Sequence, residues 1–264
     1  MPLAGWNEAS FTHAGETKTV FRGGEGPGVV IMHEIPGITP EVARFARIVA
    51  DAGFAVAMPD MFGTAGKPYG SLYVARQLAR ACVSREFKVL AARESSPITE
   101  WLRALCRSLH VECGGRGVGA IGMCLTGNFA LALMVDEAVM APVLSQPSLP
   151  FPMTRAQREG LHVSDAQLVV IKRRSAEGVK VLGLRFTADP ACPKARFDRL
   201  RRELGDGFEA IEIDSSRGNP DGIPSKAHSV VTNDLVDREG HPTRAALDRV
   251  LSFFNENLRT RPIG

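Results

Sequence analysis

The sequence predicts an α/β fold, a mainly parallel sheet covered by helices on both faces. Two observations carry that expectation. Short, almost continuous apolar runs recur along the chain and alternate with amphipathic, helix-periodic stretches, the pattern of strands buried on both faces. The runs also tend to end in glycine, proline or aspartate, where such strands turn into loops and helices.

Taken in order, Val29-Val30-Ile31-Met32-His33 reads as the first core strand. A Pro/Gly turn follows, then a helix over 41–52 with Gly53 as its C-terminal stop. Phe54-Ala55-Val56-Ala57-Met58 is the next strand, ending in Pro59-Asp60. After a loop over 63–70, helices are expected at 72–83 and 98–110. The second carries Trp101, Leu102, Leu105 and Leu109 on one face. Val118-Gly119-Ala120-Ile121 is a buried strand, and a helix begins near Phe129. Further strands are expected at 138–144, 179–186 and 208–213, with a closing amphipathic helix over 243–258. Neither a repeat nor a low-complexity linker interrupts this order, so 1–264 reads as one domain with its core at about 16–260.

Composition narrows the function classes. With 44% hydrophobic residues the chain can bury a substantial core. Its 32 basic and 29 acidic residues leave a net charge of +3, a mixed surface rather than one built for a polyanion. Basic clusters such as Lys172-Arg173-Arg174 and Arg199-Leu200-Arg201-Arg202 lie in charge-mixed helical contexts and read as solvated faces, so no nucleic-acid partner is expected. No apolar stretch reaches the ~20 residues that span a bilayer, and the first twenty residues do not read as a signal peptide. Five cysteines, an odd number without a close ligand pair, suggest neither a disulfide framework nor a metal site. A cytoplasmic protein without cofactor, monomeric or homodimeric, is the expectation.

Gly122-Met123-Cys124-Leu125-Thr126-Gly127 stands between the strand ending at Ile121 and the helix near Phe129. A sharp strand-to-helix turn with a nucleophile at its apex is the elbow of α/β-hydrolases, here with cysteine where serine is usual. A helix N-terminus facing Cys124 would favour its thiolate. A free cysteine is equally at home as a small buried hydrophobe, so the decision rests on partners. In such folds the order is nucleophile, acid, histidine. Asp189 follows the strand that ends near Phe186, and His228 lies in the Gly/Pro-rich loop after the strand ending near Ile213. Each alone has a plain reading, a turn-initiating Asp-Pro and an ordinary loop histidine. Together, in order and each after its own strand, they form a candidate triad. Ile35 and Leu125 are the candidate backbone N–H donors for an oxyanion, since Pro36 has none.

His33-Glu34-Ile35-x-Gly37, Met58-Pro59-Asp60-Met61-Phe62, Gly122-Met123-Cys124-Leu125-x-Gly127, Asp189 and Ala227-His228-Ser229 together resemble the dienelactone hydrolase family. The resemblance implies a three-layer α/β-hydrolase fold and a Cys124–His228–Asp189 triad that cleaves small esters, lactones or thioesters through an acyl-cysteine. It also implies that Glu34 contacts the resting thiol and takes part in activating it; the plain alternative pairs Glu34 with a base such as Arg85. The resemblance implies that Arg85 corresponds to one of the two arginines with which dienelactone-cleaving members hold a substrate carboxylate. The other, expected a few residues after the histidine, is absent from Ser229-Val230-Val231-Thr232-Asn233. A second departure is Thr126, whose β-branched bulk replaces a glycine of the elbow. These departures motivate an alternative, a non-catalytic small-molecule-binding or scaffold member of the fold. A redox-sensing Cys124 ranks last, because no resolving cysteine is at hand. Trp101 and Phe151 are further candidates for substrate contact, Trp101 being better explained as core.

Overall fold

In a computed structural model, residues 3–70, 72–77 and 97–259 are described. Eight strands form one sheet in the order β1-β2-β4-β3-β5-β6-β7-β8. β1 (Asn7–His13) and β2 (Glu16–Gly23) make an antiparallel hairpin, and β2 pairs antiparallel with β4 (Ala55–Pro59). From β4 onward through β3 (Gly28–Met32), β5 (Val118–Met123), β6 (Val139–Ser145), β7 (Val181–Phe186) and β8 (Phe208–Ile213), every pairing is parallel. This is the mixed, mostly parallel sheet of the α/β-hydrolase fold, as the apolar runs predicted.

Helices cover both faces. α1 (Pro40–Asp51) and the last helix, α7 (Pro242–Leu258), pack Val42, Phe45, Val49, Val250, Phe253 and Phe254 against Val29, Ile31, Ile121 and Met123. On the other face α2 (Pro97–Cys113), α3 (Gly127–Leu133), α5 (Asp165–Ala176) and α6 (Lys194–Leu204) meet Val30, Met32, Val118 and Ala120. Alternate residues of β3 therefore enter opposite cores, as a period of two requires. A short helix, α4 (Arg155–Glu159), lies in the connection after β6.

The expected elements recur with small shifts. Thr39 caps α1 by accepting from the Val42 N–H, Pro40 opens it, and Gly53 follows its end at φ +85°. Trp101 is 1% exposed with its indole N–H on the Glu16 carbonyl, so it is core and not a substrate contact. Residues 72–77 are helical; the remainder of the helix expected to 83, and Arg85, lie outside the described residues. The hairpin β1–β2 is an addition the sequence pattern did not announce. No described helix is long and apolar enough to cross a membrane.

The parallel sheet decides where the chemistry collects. β3, β5, β7 and β8 run the same way, so Glu34, Cys124, Asp189 and the loop carrying His228 all follow carboxyl ends on one edge of the sheet.

Candidate active site

β5 ends at Met123, and the chain turns at once through a 3-10 turn, Cys124–Thr126, into α3. Cys124 sits at φ +54°, the left-handed region that L-residues avoid. Such strain at a sheet edge is the backbone signature of a nucleophile elbow. Two glycines permit it. A Cβ on Gly122 would lie 2.1 Å from the Thr126 carbonyl oxygen, and one on Gly127 would lie 2.5 Å from Pro147 Cα.

Thr126 does not crowd this turn, contrary to the expectation from its bulk. Its backbone, at φ −89° and ψ −3°, is open to any residue. Its hydroxyl accepts the Met123 N–H at 2.9 Å and lies 3.0 Å from the Met32 carbonyl and 3.2 Å from that of His33. The threonine pins the elbow to the end of β3.

Asp189 and His228 meet. Asp189 is 4% exposed, and its Oδ2 accepts from His228 Nδ1 at 2.7 Å while Oδ1 takes the Ala191 N–H at 2.9 Å. The Cys124 sulphur lies near enough to bear on the imidazole's charge. With Nδ1 engaged by Asp189, Nε2 is the nitrogen left to face the sulphur. Burial alone lowers the His228 pKa, but the Cys124 sulphur and the Asp189 carboxylate outweigh it and hold the imidazole well above its ordinary value. Asp189 and His228 are thus paired beside the turn that carries Cys124.

The loop holding His228 has an anchor that sequence reading missed. Asp234 Oδ2 accepts the backbone N–H groups of both His228 and Ser229 at 2.8 Å. Six residues separate Asp234 from His228, and no periodic signal marks it.

Glu34 lies at the same sheet edge, 2% exposed, but the structure does not turn its carboxylate to the thiol. Its described partners are Ser229, Thr232, Asn233 and Gln146, all uncharged. Burial pushes its pKa above the usual carboxylate range, and the hydroxyls of Thr232 and Ser229 offset that only in part. Next to it His33 is fully buried and its pKa is lowered by burial to about 4, so it is neutral. Nε2 accepts the Met61 N–H at 3.1 Å, which leaves Nδ1 to donate to the Glu34 carbonyl at 3.1 Å. That imidazole ties the loop after β3 to the loop after β4.

Ile35 and Leu125 pack in one place, beside Cys124. Together with Leu149 they form a small apolar cluster, against which Phe62, Val74, Phe151 and Cys124 itself pack. Leu125 lies in the first turn of the 3-10 helix, where an N–H has no intrahelical acceptor. The wall carrying Leu149 and Phe151 is held from behind by Arg196. This fully buried guanidinium donates to the carbonyls of Pro147, Pro150 (2.6 Å), Gln157 (3.0 Å) and Gly160 (2.8 Å). Tyr69 is half exposed, and burial, with the charge of Glu34, raises its pKa. Neither residue stood out in the sequence. Cys106, Cys113, Cys124 and Cys192 are free thiols, and burial raises Cys106 above the titratable range and Cys192 to about 12. Among the described residues no His, Cys, Asp or Glu side chains gather as a metal site.

Comparison with known proteins agrees with this architecture. The profile of the dienelactone hydrolase family matches residues 15–256. A Saccharomyces cerevisiae protein named "Putative carboxymethylenebutenolidase" is 24% identical over 192 residues, spanning 71% of this chain and 67% of that protein. Among solved structures, the "Putative Dienelactone Hydrolase" of Klebsiella pneumoniae superposes with a TM-score of 0.63 at 15% identity, over 95% of this chain and 98% of that one. A dienelactone hydrolase-like promiscuous phosphotriesterase from metagenomic libraries gives 0.60 at 19% identity, over 96% and 98%. At such identities the superpositions speak for the fold, while the profile match across most of the length speaks for descent. The chain belongs to the dienelactone hydrolase family.

Proposed function

We propose that this protein hydrolyses small carboxylic esters or lactones, thioesters included, through an acyl-cysteine intermediate. The observation that carries the reading is Cys124 at a left-handed apex, with a histidine near it that Asp189 holds through Nδ1. In the proposed course Cys124 Sγ attacks the substrate carbonyl carbon as a thiolate, with its proton on His228. The carbonyl oxygen takes up the negative charge and is received by the N–H groups of Ile35 and Leu125. Collapse of that adduct breaks the bond to the leaving oxygen or sulphur, which takes the proton from His228 Nε2. A water then gives its proton to His228 and its oxygen to the acyl carbon; the second collapse expels Cys124 and releases the acid. Asp189 keeps the imidazole in the orientation and tautomer that both steps need.

The apolar cluster of Ile35, Leu125, Leu149, Phe62 and Phe151 supports a compact, apolar acyl group. Thr232, in the segment after His228 where the resemblance would put an arginine, is buried and engaged by Glu34. Uncharged esters are therefore the first substrates to try, with Arg85 retained as the proposed contact for any substrate carboxylate.

The test is hydrolysis of p-nitrophenyl acetate by the wild type, Cys124→Ala and His228→Ala. Both variants are expected to fall to the solvent rate, and equal rates in all three overturn the reading. A stable acyl adduct on Cys124 that never turns over would instead favour a non-catalytic binding protein.

A further inference from the structure

Glu34 leaves β3 beside the elbow, yet both of its carboxylate oxygens are directed at the loop that carries His228. Oε2 accepts from Ser229 Oγ at 2.7 Å and from Gln146 Nε2 at 3.3 Å. Oε1 accepts from Thr232 Oγ1 and from Asn233 Nδ2 at 3.4 Å. Three of these four donors stand within five residues of His228. The fourth reaches the same loop, because Gln146 Oε1 accepts the Val230 N–H at 3.4 Å. Glu34, Gln146 and Thr232 are buried, so water offers little competition for these bonds.

A carboxylate removed from water is costly unless each oxygen is satisfied, and here four neutral donors satisfy both. The donors are fixed in turn. Gln146 follows the end of β6 and donates its own N–H to the Leu184 carbonyl at 2.7 Å, which roots it in β7. Asp234 holds the same loop by its backbone, through the N–H groups of His228 and Ser229. The buried Glu34 carboxylate thus grips the side chains of the loop, while the half-buried Asp234 grips its main chain.

We propose that Glu34 is a positioning residue, a fixed anchor for the His228 loop that holds the imidazole against Cys124 before any substrate arrives. It acts through Ser229, Thr232, Asn233 and Gln146 rather than on the sulphur. The inference rests on the reading of Cys124 and His228 as the reacting pair, but it concerns their assembly in the resting protein. It can therefore be read without turnover.

The experiment uses the full chain and its variants Glu34→Gln, Glu34→Ala, Thr232→Val and Thr232→Ser. Alkylation of Cys124 by iodoacetamide is followed across pH, without substrate, by mass of the Cys124 peptide; kcat and KM for p-nitrophenyl acetate are measured in parallel. Wild-type Cys124 should alkylate readily near neutral pH, because an assembled imidazolium stabilises the thiolate. Glu34→Ala and Thr232→Val should slow that alkylation near neutral pH and lower kcat by about 10- to 100-fold, with the smaller change in KM. Thr232→Ser, which keeps the hydroxyl, should recover most of both losses. Glu34→Gln, of equal size but with one acceptor oxygen, should shift in the same direction as the alanine variant.

An unchanged alkylation profile in Glu34→Ala and Thr232→Val overturns the proposal. Faster alkylation of Glu34→Ala than of wild type near neutral pH also overturns it, since Glu34 would then restrain the thiol. Should Glu34→Ala fail to fold by circular dichroism, Glu34→Gln and the Thr232 pair decide. If the profile shifts as expected but no ester is cleaved by the wild type, the anchor stands and the hydrolase reading falls.

Discussion

Thr126 Oγ1 lies 3.0 Å from the carbonyl oxygen of Met32, a bond between the elbow and the end of the neighbouring strand. The same hydroxyl accepts the Met123 N–H, so one buried atom joins the segment bearing Cys124 to the segment leading into Glu34 and Ile35. Thr126→Val keeps the shape and removes the hydroxyl, leaving a buried N–H without its acceptor. The expected loss is about 1–3 kcal/mol in denaturant unfolding, with kcat for an aryl ester reduced more than KM is raised. Thr126→Ser should stay close to wild type in both measurements.

Gly122 is required by a close approach of backbone to backbone. An alanine Cβ there meets the Thr126 carbonyl oxygen at 2.1 Å and its carbon at 2.7 Å, atoms that cannot swing aside. Gly122→Ala is expected to cost about 4 kcal/mol or more, read as a lost or strongly lowered unfolding midpoint. Gly178→Ala is the control. Gly178 has φ +99° but open space around it, so only backbone strain applies and about 1 kcal/mol is expected.

Arg196 holds four carbonyls of the 147–160 segment from a fully buried position, and burial brings its own pKa down to about 10. Arg196→Met leaves those carbonyls without their donor. We expect a loss of about 3 kcal/mol and a raised KM, because Leu149 and Phe151 lose the backing that sets them beside Cys124. Arg196→Lys should rescue little, since one ammonium cannot reproduce a planar fork that reaches separate acceptors.

His33 and His228 give stability opposite dependences on pH. The folded pKa of His33 is lowered from 6.5 to about 4, so between those values the unfolded chain binds the proton and the folded one does not. Its contribution is fully present above about pH 6.5 and is lost on acidification toward pH 4, on the order of 3 kcal/mol in all. His228 is raised well above 6.5, so its contribution is present below 6.5 and is lost as pH climbs through the folded value. Denaturant unfolding across pH 4–9 should show the acid-side slope flattened in His33→Gln and the alkaline-side slope flattened in His228→Gln. Unaltered slopes in both variants would contradict the assignments.

Much of this was legible along the chain. The strands at 29–32 and 118–121 are continuous apolar runs because both faces of a parallel sheet are covered there, and burial writes itself directly into residue type. The hairpin β1–β2 was not legible, because it stands at the sheet edge. Residues such as Glu8, Ser10 and Thr12 are exposed or half-buried there, so no apolar run marks it. Gly122-Met123-Cys124 announced a turn because its glycines answer to local crowding, and Asp189 and His228 could be matched to it by order alone.

What surrounds those residues could not be read that way. Thr126 looked like an intrusion because its acceptor, Met32, is 94 residues away. Glu34 looked like a neighbour of the thiol or of a base, yet its oxygens are held by Ser229 and Thr232, 195 and 198 residues along. Asp234 and Arg196 carry no periodic signal. By itself the sequence determined the fold class, where the core strands lie along the chain and which side chains follow their ends, since those follow from periodicity and local sterics. Only the tertiary structure decided which donors meet which acceptors there, because a hydrogen bond depends on ångströms between distant segments, and residue type and spacing do not encode that distance.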